Sequence, residues 1–388
     1  MLFRSPEGRL LYCLLVKALY GLKQGARQWY LKLSLVMREL GFRKVHSEPC
    51  VYIWENTEGD RVIVPRYVDD CHLVGNAAGV ARTKASLKEH FELRDLGPTR
   101  WFLGIHITRD RKKRTLSLSQ RQYCLDTLKE FEMENCRPVS TPMVPGLRLS
   151  KPALPMSQDD LRFMQDKPYG RAVGKLNWLA LCTRPDISHA VGVLARFSSC
   201  PGPEHWKAVK HLLCYITGTV DYKLTYCDTP HPRDFRMYSD ADFAGDADSG
   251  RSTSAYVLTM GGGAVSWSSK LQSRVARSTT EAEFIAGEAA GREIAFFRYI
   301  LDDLGYPVVL PRPLAMDNQS AIRVAKNPEH QGKMKHLPPI YYGFRDQVEE
   351  GEVAPYFIPT EAMPADMLTK ALSRDKVERN VGMLGLSG

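Results

Sequence analysis

The chain has 388 residues, 44% of them hydrophobic and 25% charged, with a formal net charge of +9. That balance is globular and excludes a disordered or collagen-like polypeptide, and the length predicts two or three domains rather than one core. The basic excess favours a polyanionic partner.

No apolar run reaches the roughly 18 to 20 residues that span a bilayer, since Lys17 interrupts even LLYCLLVKALYGL. MLFRSPEGRL at the N-terminus lacks a long apolar stretch followed by a small-residue cleavage site. Neither membrane insertion nor secretion is therefore expected, and the cytoplasm or nucleus is the expected compartment. The nine cysteines are odd in number, form no CxxC and stop at Cys227, which predicts reduced thiols rather than disulfides or a zinc site.

In chain order, ARQWYLKLSLVMRELGF (26–42) has helical spacing with an apolar face. CVYIW and RVIVPRYV are β-rich, and Val68 leads into Asp69-Asp70 and CHLVG, which predicts a strand, a two-residue acidic turn and a strand. Closely spaced prolines between Arg137 and Pro155 forbid regular structure. The runs 169–197 and 204–218 each read as a helix, separated by Pro201-Gly202-Pro203. A short connector at 228–234 precedes β-runs FRMYSDA, STSAYVLTM and AVSWSS, with Gly261-Gly262-Gly263 as a hairpin turn. A long helix follows from about Thr279 to Leu304, then the β-run PLAMD, another helix, VAPYFIP and a helix near 361–372. This order predicts a mixed α/β domain at the C-terminal end. Trp101, Trp178 and Trp206 read as core residues, and no GxGxxG or GxxxxGK[ST] loop is present to cradle phosphate.

Four acidic residues stand out by position: Asp240 ending one β-run, Glu283 on the long helix, Asp317 ending the next β-run, and Asp366 in the last helix. Side chains at strand ends of an α/β sheet converge on one edge. Clustered carboxylates repel unless cations join them, and such a cluster can hold two Mg²⁺ ions roughly 3.5 to 4 Å apart for in-line attack on a phosphodiester. Each also has a purely structural reading. Ser278-Thr-Thr-Glu281 fits a capping box, Asp240 and Asp242 fit a loop, and Asp366 fits the positive end of a helix. Spacing alone does not select this quartet.

Nine ordered strings do. They are KALYGLKQGARQWY, YVDD, LRDLGPTRWFLGIHITRD, RPVSTPM, LALCTRPDISHAVGVLARF, YSDADFAGD, STTEAEFIA, DNQSAI and PTEAMPADMLTK. Together they resemble the Pol polyprotein of copia-type LTR retrotransposons, from the reverse transcriptase palm through the connection to RNase H. The resemblance implies an α/β (α+β) chain. Its expected parts are a partial palm at 1–98, a mainly helical thumb and connection at 99–234, an RNase H-like mixed-sheet domain at 235–375, and a C-terminal tail at 376–388. It implies that Asp240, Glu283, Asp317 and Asp366 are catalytic metal ligands for Mg²⁺, with Mn²⁺ as the alternative. The implied reaction is cleavage of RNA paired with DNA, and the implied partner is an RNA–DNA hybrid or other nucleic acid.

By the same resemblance Asp69 and Asp70 of YVDD belong to the reverse transcriptase site, with Asp69 the metal ligand. The further polymerase aspartate of the family lies upstream of Pro6-Glu7-Gly8, and no aspartate occurs before Asp60, so this polypeptide is expected not to extend a primer. Two departures bear on activity. Pro65 in VIVPRYVDD cannot donate a ladder hydrogen bond, and Arg66 sets a charge against the core. After Lys335-His336, LPPIYYGFRD replaces an I-D-I-R-Y-H-F pattern, with Pro338 for an acid and Tyr342 for a histidine. These changes leave a second reading open, a catalytically dead remnant that only binds nucleic acid. Lys17, Lys23 and Arg27, near Trp29 and Tyr30, are candidate phosphate contacts, and Arg109–Arg114 is a basic hairpin turn. Nothing in the sequence bears on oligomeric state.

Overall fold

The computed structural model describes residues 3–4, 6, 8–11, 16–19, 21–153, 155–229, 234–327 and 342–388. The fold is α/β, and the chain divides into two compact units: Met1–Thr99 with Tyr299–Pro307, and Arg100–Arg298 with Val308–Gly388. No described helix is long and apolar enough to cross a membrane.

In the first unit, a hairpin of β1 (Phe3–Arg4) and β2 (Leu10–Leu11) precedes helix α1 (Lys23–Glu39). The helix buries Leu33, Val36 and Met37, a spacing that puts all three on one face. They meet a sheet of β3 (Arg43–Lys44), β4 (Val51–Glu55), β5 (Arg61–Tyr67), β6 (Asp70–Cys71) and β7 (Val74–Gly75), followed by α2 (Ala77–His90). Alternate residues Tyr52 and Trp54 of β4, and Val62 and Val64 of β5, join that core with Leu87 of α2. Pro65 lies within β5 opposite Val51, and its carbonyl accepts from the His72 N–H at 2.9 Å. The strand therefore runs through the proline.

The second unit holds two five-stranded sheets. The first runs in the order β17 (Leu386–Ser387), β11 (Lys223–Cys227), β10 (Thr115–Ser119), β9 (Ile105–Asp110), β8 (Trp101–Phe102). Residues 111–114 form the basic turn between β9 and β10. Helices α3 (Arg121–Glu130), α4 (Gln158–Met164), α5 (Tyr169–Cys182), α6 (Ser188–Ala195) and α7 (Pro203–Gly218) fill the region between β10 and β11. The run 169–197 is thus not one helix. It breaks at Thr183, and Pro185–Ile187 makes a 3₁₀ turn, because Pro185 has no N–H to continue the ladder and its ring restricts Arg184.

The second sheet runs β14 (Gly263–Leu271), β13 (Thr253–Met260), β12 (Phe235–Ala241), β15 (Arg312–Met316), β16 (Val353–Phe357). Strands β12, β13 and β14 are antiparallel, whereas β12, β15 and β16 are parallel. Gly261 and Gly262, at φ +61° and +82°, make the turn between β13 and β14, a conformation open to glycine without penalty. Helix α8 (Thr279–Asp303) follows β14, α9 (Gln319–Lys326) follows β15, and α10 (Gly343–Glu349) precedes β16.

The expected helix near 361–372 is instead two 3₁₀ turns, Thr360–Ala362 and Pro364–Leu368, because Pro364 forces Met363 out of helical geometry. Helix α11 (Arg374–Met383) follows, and β17 then completes the first sheet of this unit by pairing with β11. One apolar core extends from Cys124 and Leu128 through Leu176, Val209 and Ala255 to Met363 and Leu386. The Trp267 indole donates to the Ala180 carbonyl at 2.8 Å and ties β14 to α5. Of the three tryptophans expected in the core, Trp206 is buried and Trp178 half-buried, but Trp101 is 57% exposed, since β8 is an edge strand only two residues long.

Candidate metal centre

Asp240 is the sixth residue of β12 and Asp317 directly follows β15. These neighbouring strands are parallel, with Met237 opposite Leu314 and Tyr238 opposite Ala315. Continuing that register sets Asp240 level with Asp317, about 4.8 Å across the sheet. Asn318 caps α9 by accepting from the Ser320 and Ala321 N–H groups at 3.0 Å, which leaves Asp317 at the sheet edge rather than on the helix. Glu283 comes from the first turns of α8, where Ser278 accepts from the Glu281 N–H and Glu281 accepts from the Arg277 N–H. Glu281 is thereby committed to the helix start, and Glu283 is directed at the strand ends.

The carboxylates of Asp240, Glu283 and Asp317 offer oxygens that all lie within 4.8 Å of one another. Asp240 and Glu283 are buried and Asp317 is half-buried. Burial pushes Asp240 up to about 7; Asp366 and Asp317 push the same way, against the pull of Lys370 and a hydrogen bond from the Thr369 hydroxyl. Glu283 is raised well above the carboxylate range, first by burial and then by Asp240 and Asp317, although the Ala241 N–H donates to it. Asp366 is buried in the Pro364–Leu368 turn and forms an ion pair with Lys370 at 2.5 Å. It is not one of the three converging residues. Asp242 is held elsewhere, accepting from the Thr253 N–H on β13.

The donor set fits a hard divalent cation. It is all carboxylate oxygen, and Glu283 Oε2 is buried with no hydrogen-bond partner. A buried, unpartnered carboxylate oxygen is costly unless a proton or cation satisfies it. Mg²⁺ and Mn²⁺ both accept such ligands.

Asp69 and Asp70 belong to the first unit and are exposed. Tyr67 pairs with Asp70 and Arg66 with Cys71, so the two turn residues are Val68-Asp69 and not Asp69-Asp70. The chain reverses one residue earlier because Val68 takes φ +54°, the positive φ that matches a tight hairpin to the strand twist. The Val68 carbonyl is held by the Trp29 indole at 2.8 Å and by Arg66 at 3.3 Å. Arg66 does not press its charge into the core; its guanidinium stacks on the Tyr30 ring at 4.6 Å. Among the described residues, neither aspartate belongs to a group of three metal-ligating side chains. A β-branched residue in the left-handed region is strained. Val68→Asn should therefore stabilise the chain by about 0.5 to 1 kcal/mol, since asparagine tolerates this conformation. Denaturant unfolding checks this, and a lower midpoint would contradict it.

A family model described as reverse transcriptase (RNA-dependent DNA polymerase) matches residues 7–145. The Retrovirus-related Pol polyprotein from transposon TNT 1-94 of Nicotiana tabacum is 42% identical over 98% of this chain. The corresponding polyprotein from transposon RE1 of Arabidopsis thaliana is 35% identical over 97%. The chain belongs to the copia-type Pol polyproteins. It spans 29% of the tobacco relative and 25% of the Arabidopsis one. An RNase H1 isolated from compost aligns with 38% of this Pol chain and 98% of its own, at 18% identity and a TM-score of 0.26, too slight a likeness to carry an argument.

In this Pol chain Lys17, Lys23 and Arg27 are all exposed, the last two one helical turn apart on α1. Trp29 packs edge-on to Phe91 at 5.2 Å. His336, Leu337 and Pro338 lie outside the described residues; Tyr342 immediately precedes α10. Three polar residues around the carboxylates are not among the expected site residues. Thr360 donates to Asp317 at 2.8 Å, Thr369 donates to Asp240, and Lys370 pairs with Asp366. The string ADMLTK contained a signal for two of them: positions three and four beyond Asp366 share its side of a helical turn.

Proposed function

We propose that this Pol chain carries an RNase H-type endonuclease that cleaves the RNA strand of RNA–DNA hybrids with Mg²⁺ or Mn²⁺. In this reading residues 235–375 form the nuclease domain, 99–234 the connection and 1–98 a portion of a palm. The carrying observation is the meeting of Asp240, Glu283 and Asp317 at one sheet edge, with a buried Glu283 oxygen that no protein donor satisfies. Asp240, Glu283 and Asp317 would hold the metal, and Asp366 would complete the set from the opposite segment. Bound divalent ions supply Lewis acidity and lower the pKa of water. The protein's part is positional. Strands β12 and β15 set two carboxylates in register, α8 adds the third, and the Thr360 and Thr369 hydroxyls restrain Asp317 and Asp240. Restrained ligands lose little freedom when the substrate phosphate arrives. Selectivity for RNA would come from contacts to 2′-hydroxyls across the wide minor groove of the hybrid. No polymerase step is assigned to Asp69 and Asp70.

The test is incubation of the purified chain with an end-labelled hybrid and Mg²⁺. Short RNA products are expected from the hybrid, none from duplex DNA, and none with chelator. A folded protein that binds the hybrid tightly and salt-dependently yet releases no product would overturn the nuclease reading in favour of a binding remnant.

A further inference from the structure

The three converging carboxylates and Asp366 put four acidic side chains in one region, three of them buried, and among the described residues the cation that faces them is Lys370. Its ammonium pairs with Asp366 at 2.5 Å and also interacts with Asp240 and Asp317. It reaches Glu283 electrostatically as well. The Lys370 side chain is 42% exposed, whereas that of Asp366 is 3% exposed. The lysine therefore enters from solvent and can return to it, while the aspartate cannot. The backbone fixes this pairing. The Lys370 N–H donates to the Asp366 carbonyl at 3.3 Å, and the Thr369 hydroxyl bridges that carbonyl and Asp240.

We infer that Lys370 is a built-in counter-cation that neutralises the carboxylates before metal arrives and keeps Asp366 out of the ligand set until a divalent ion takes the ammonium's place. This rests on the proposed metal centre. The physical reason is that buried carboxylates are costly without compensating charge, and a monovalent cation and a dication cannot share one small anionic site. Lys370 is a positioning residue, competing with the metal rather than touching the reacting phosphate. It would also keep the unloaded site assembled, so that metal entry exchanges one cation for another instead of organising loose chain.

The test uses the full chain and Mn²⁺ alone, with no nucleic acid. Calorimetric titration and thermal melting compare wild type, Lys370→Met, Lys370→Gln and Lys370→Arg. Both neutral variants should bind Mn²⁺ about tenfold or more tightly. They should melt below wild type in chelator, and this deficit should shrink or reverse at saturating Mn²⁺. Lys370→Arg should stay close to wild type. A neutral variant that folds only when Mn²⁺ is present also supports the inference. Unchanged Mn²⁺ affinity in both neutral variants, while Asp240→Asn abolishes binding, overturns the inference and leaves the metal centre standing. Absence of Mn²⁺ binding in wild type and every variant overturns both.

Discussion

Asp240→Asn is expected to lower hybrid cleavage by about a thousandfold or more and, in chelator at pH 8, to make the protein more stable by on the order of 2 kcal/mol. The two effects have one cause. Asp240 is 2% exposed at the end of a central strand, beside Asp317 and Glu283. Burial, Asp366 and Asp317 lift its folded pKa to about 7 against an ordinary 3.8. Between about pH 4 and 7 the folded state keeps a proton that the unfolded chain has released. Unfolding then releases a proton, so the contribution of this group to stability falls as pH rises across that window. Above pH 7 the penalty is fully present; below pH 4 it is absent. Asparagine carries no such charge and can still accept from Thr369. The stability difference between variant and wild type should therefore grow from near zero at pH 4 to its full size at pH 8. Denaturant midpoints at pH 4, 6 and 8 measure it. Mg²⁺ should raise the wild-type midpoint and leave the variant's unchanged, because the variant lacks the proposed ligand. A variant less stable than wild type at pH 8 in chelator would show that Asp240 is not a strained carboxylate.

Arg184→Ala should destabilise the second unit by about 3 to 5 kcal/mol. Arg184 is 1% exposed, among the largest fully buried side chains in the protein. Its guanidinium grips Asp186 through Nε at 2.9 Å and Nη2 at 2.7 Å. It also donates to the Thr219 carbonyl at 3.0 Å and the Thr219 hydroxyl at 2.7 Å. The Tyr215 hydroxyl completes the Asp186 shell at 2.9 Å. The break between α5 and α6 is thus fastened to the C-terminal end of α7 by a closed polar network inside an apolar core. Removing the arginine leaves Asp186 buried without its counter-charge. The Arg184→Met, Asp186→Leu double variant should lose less than the two single losses added together, since it leaves neither charge alone. Urea unfolding of wild type, Arg184→Met, Asp186→Leu and the double variant closes the cycle. Additive losses would mean that the pair is not coupled.

Much of the fold was legible in local periodicity. The apolar face of α1, the length of α7 and α8, and the glycine turn between β13 and β14 follow from spacing and turn chemistry, which act over a few residues. The misplaced boundaries have equally local causes that periodicity hides. Apolar spacing continues across Thr183-Arg184-Pro185, and Val68 takes a conformation that its side chain disfavours.

Pattern by itself determined an α/β chain, and the motif strings determined its family. Only the tertiary structure decided which carboxylates meet. The parallel register of β12 and β15 puts Asp240 level with Asp317, residues far apart in the chain, and the entry of α8 adds Glu283. Tertiary packing alone decided that Asp366 and Arg184 are buried rather than solvated. The reason is physical: helix and strand periods are set by neighbours along the backbone, whereas the charge state and company of a side chain are set by whatever distant segment packs against it.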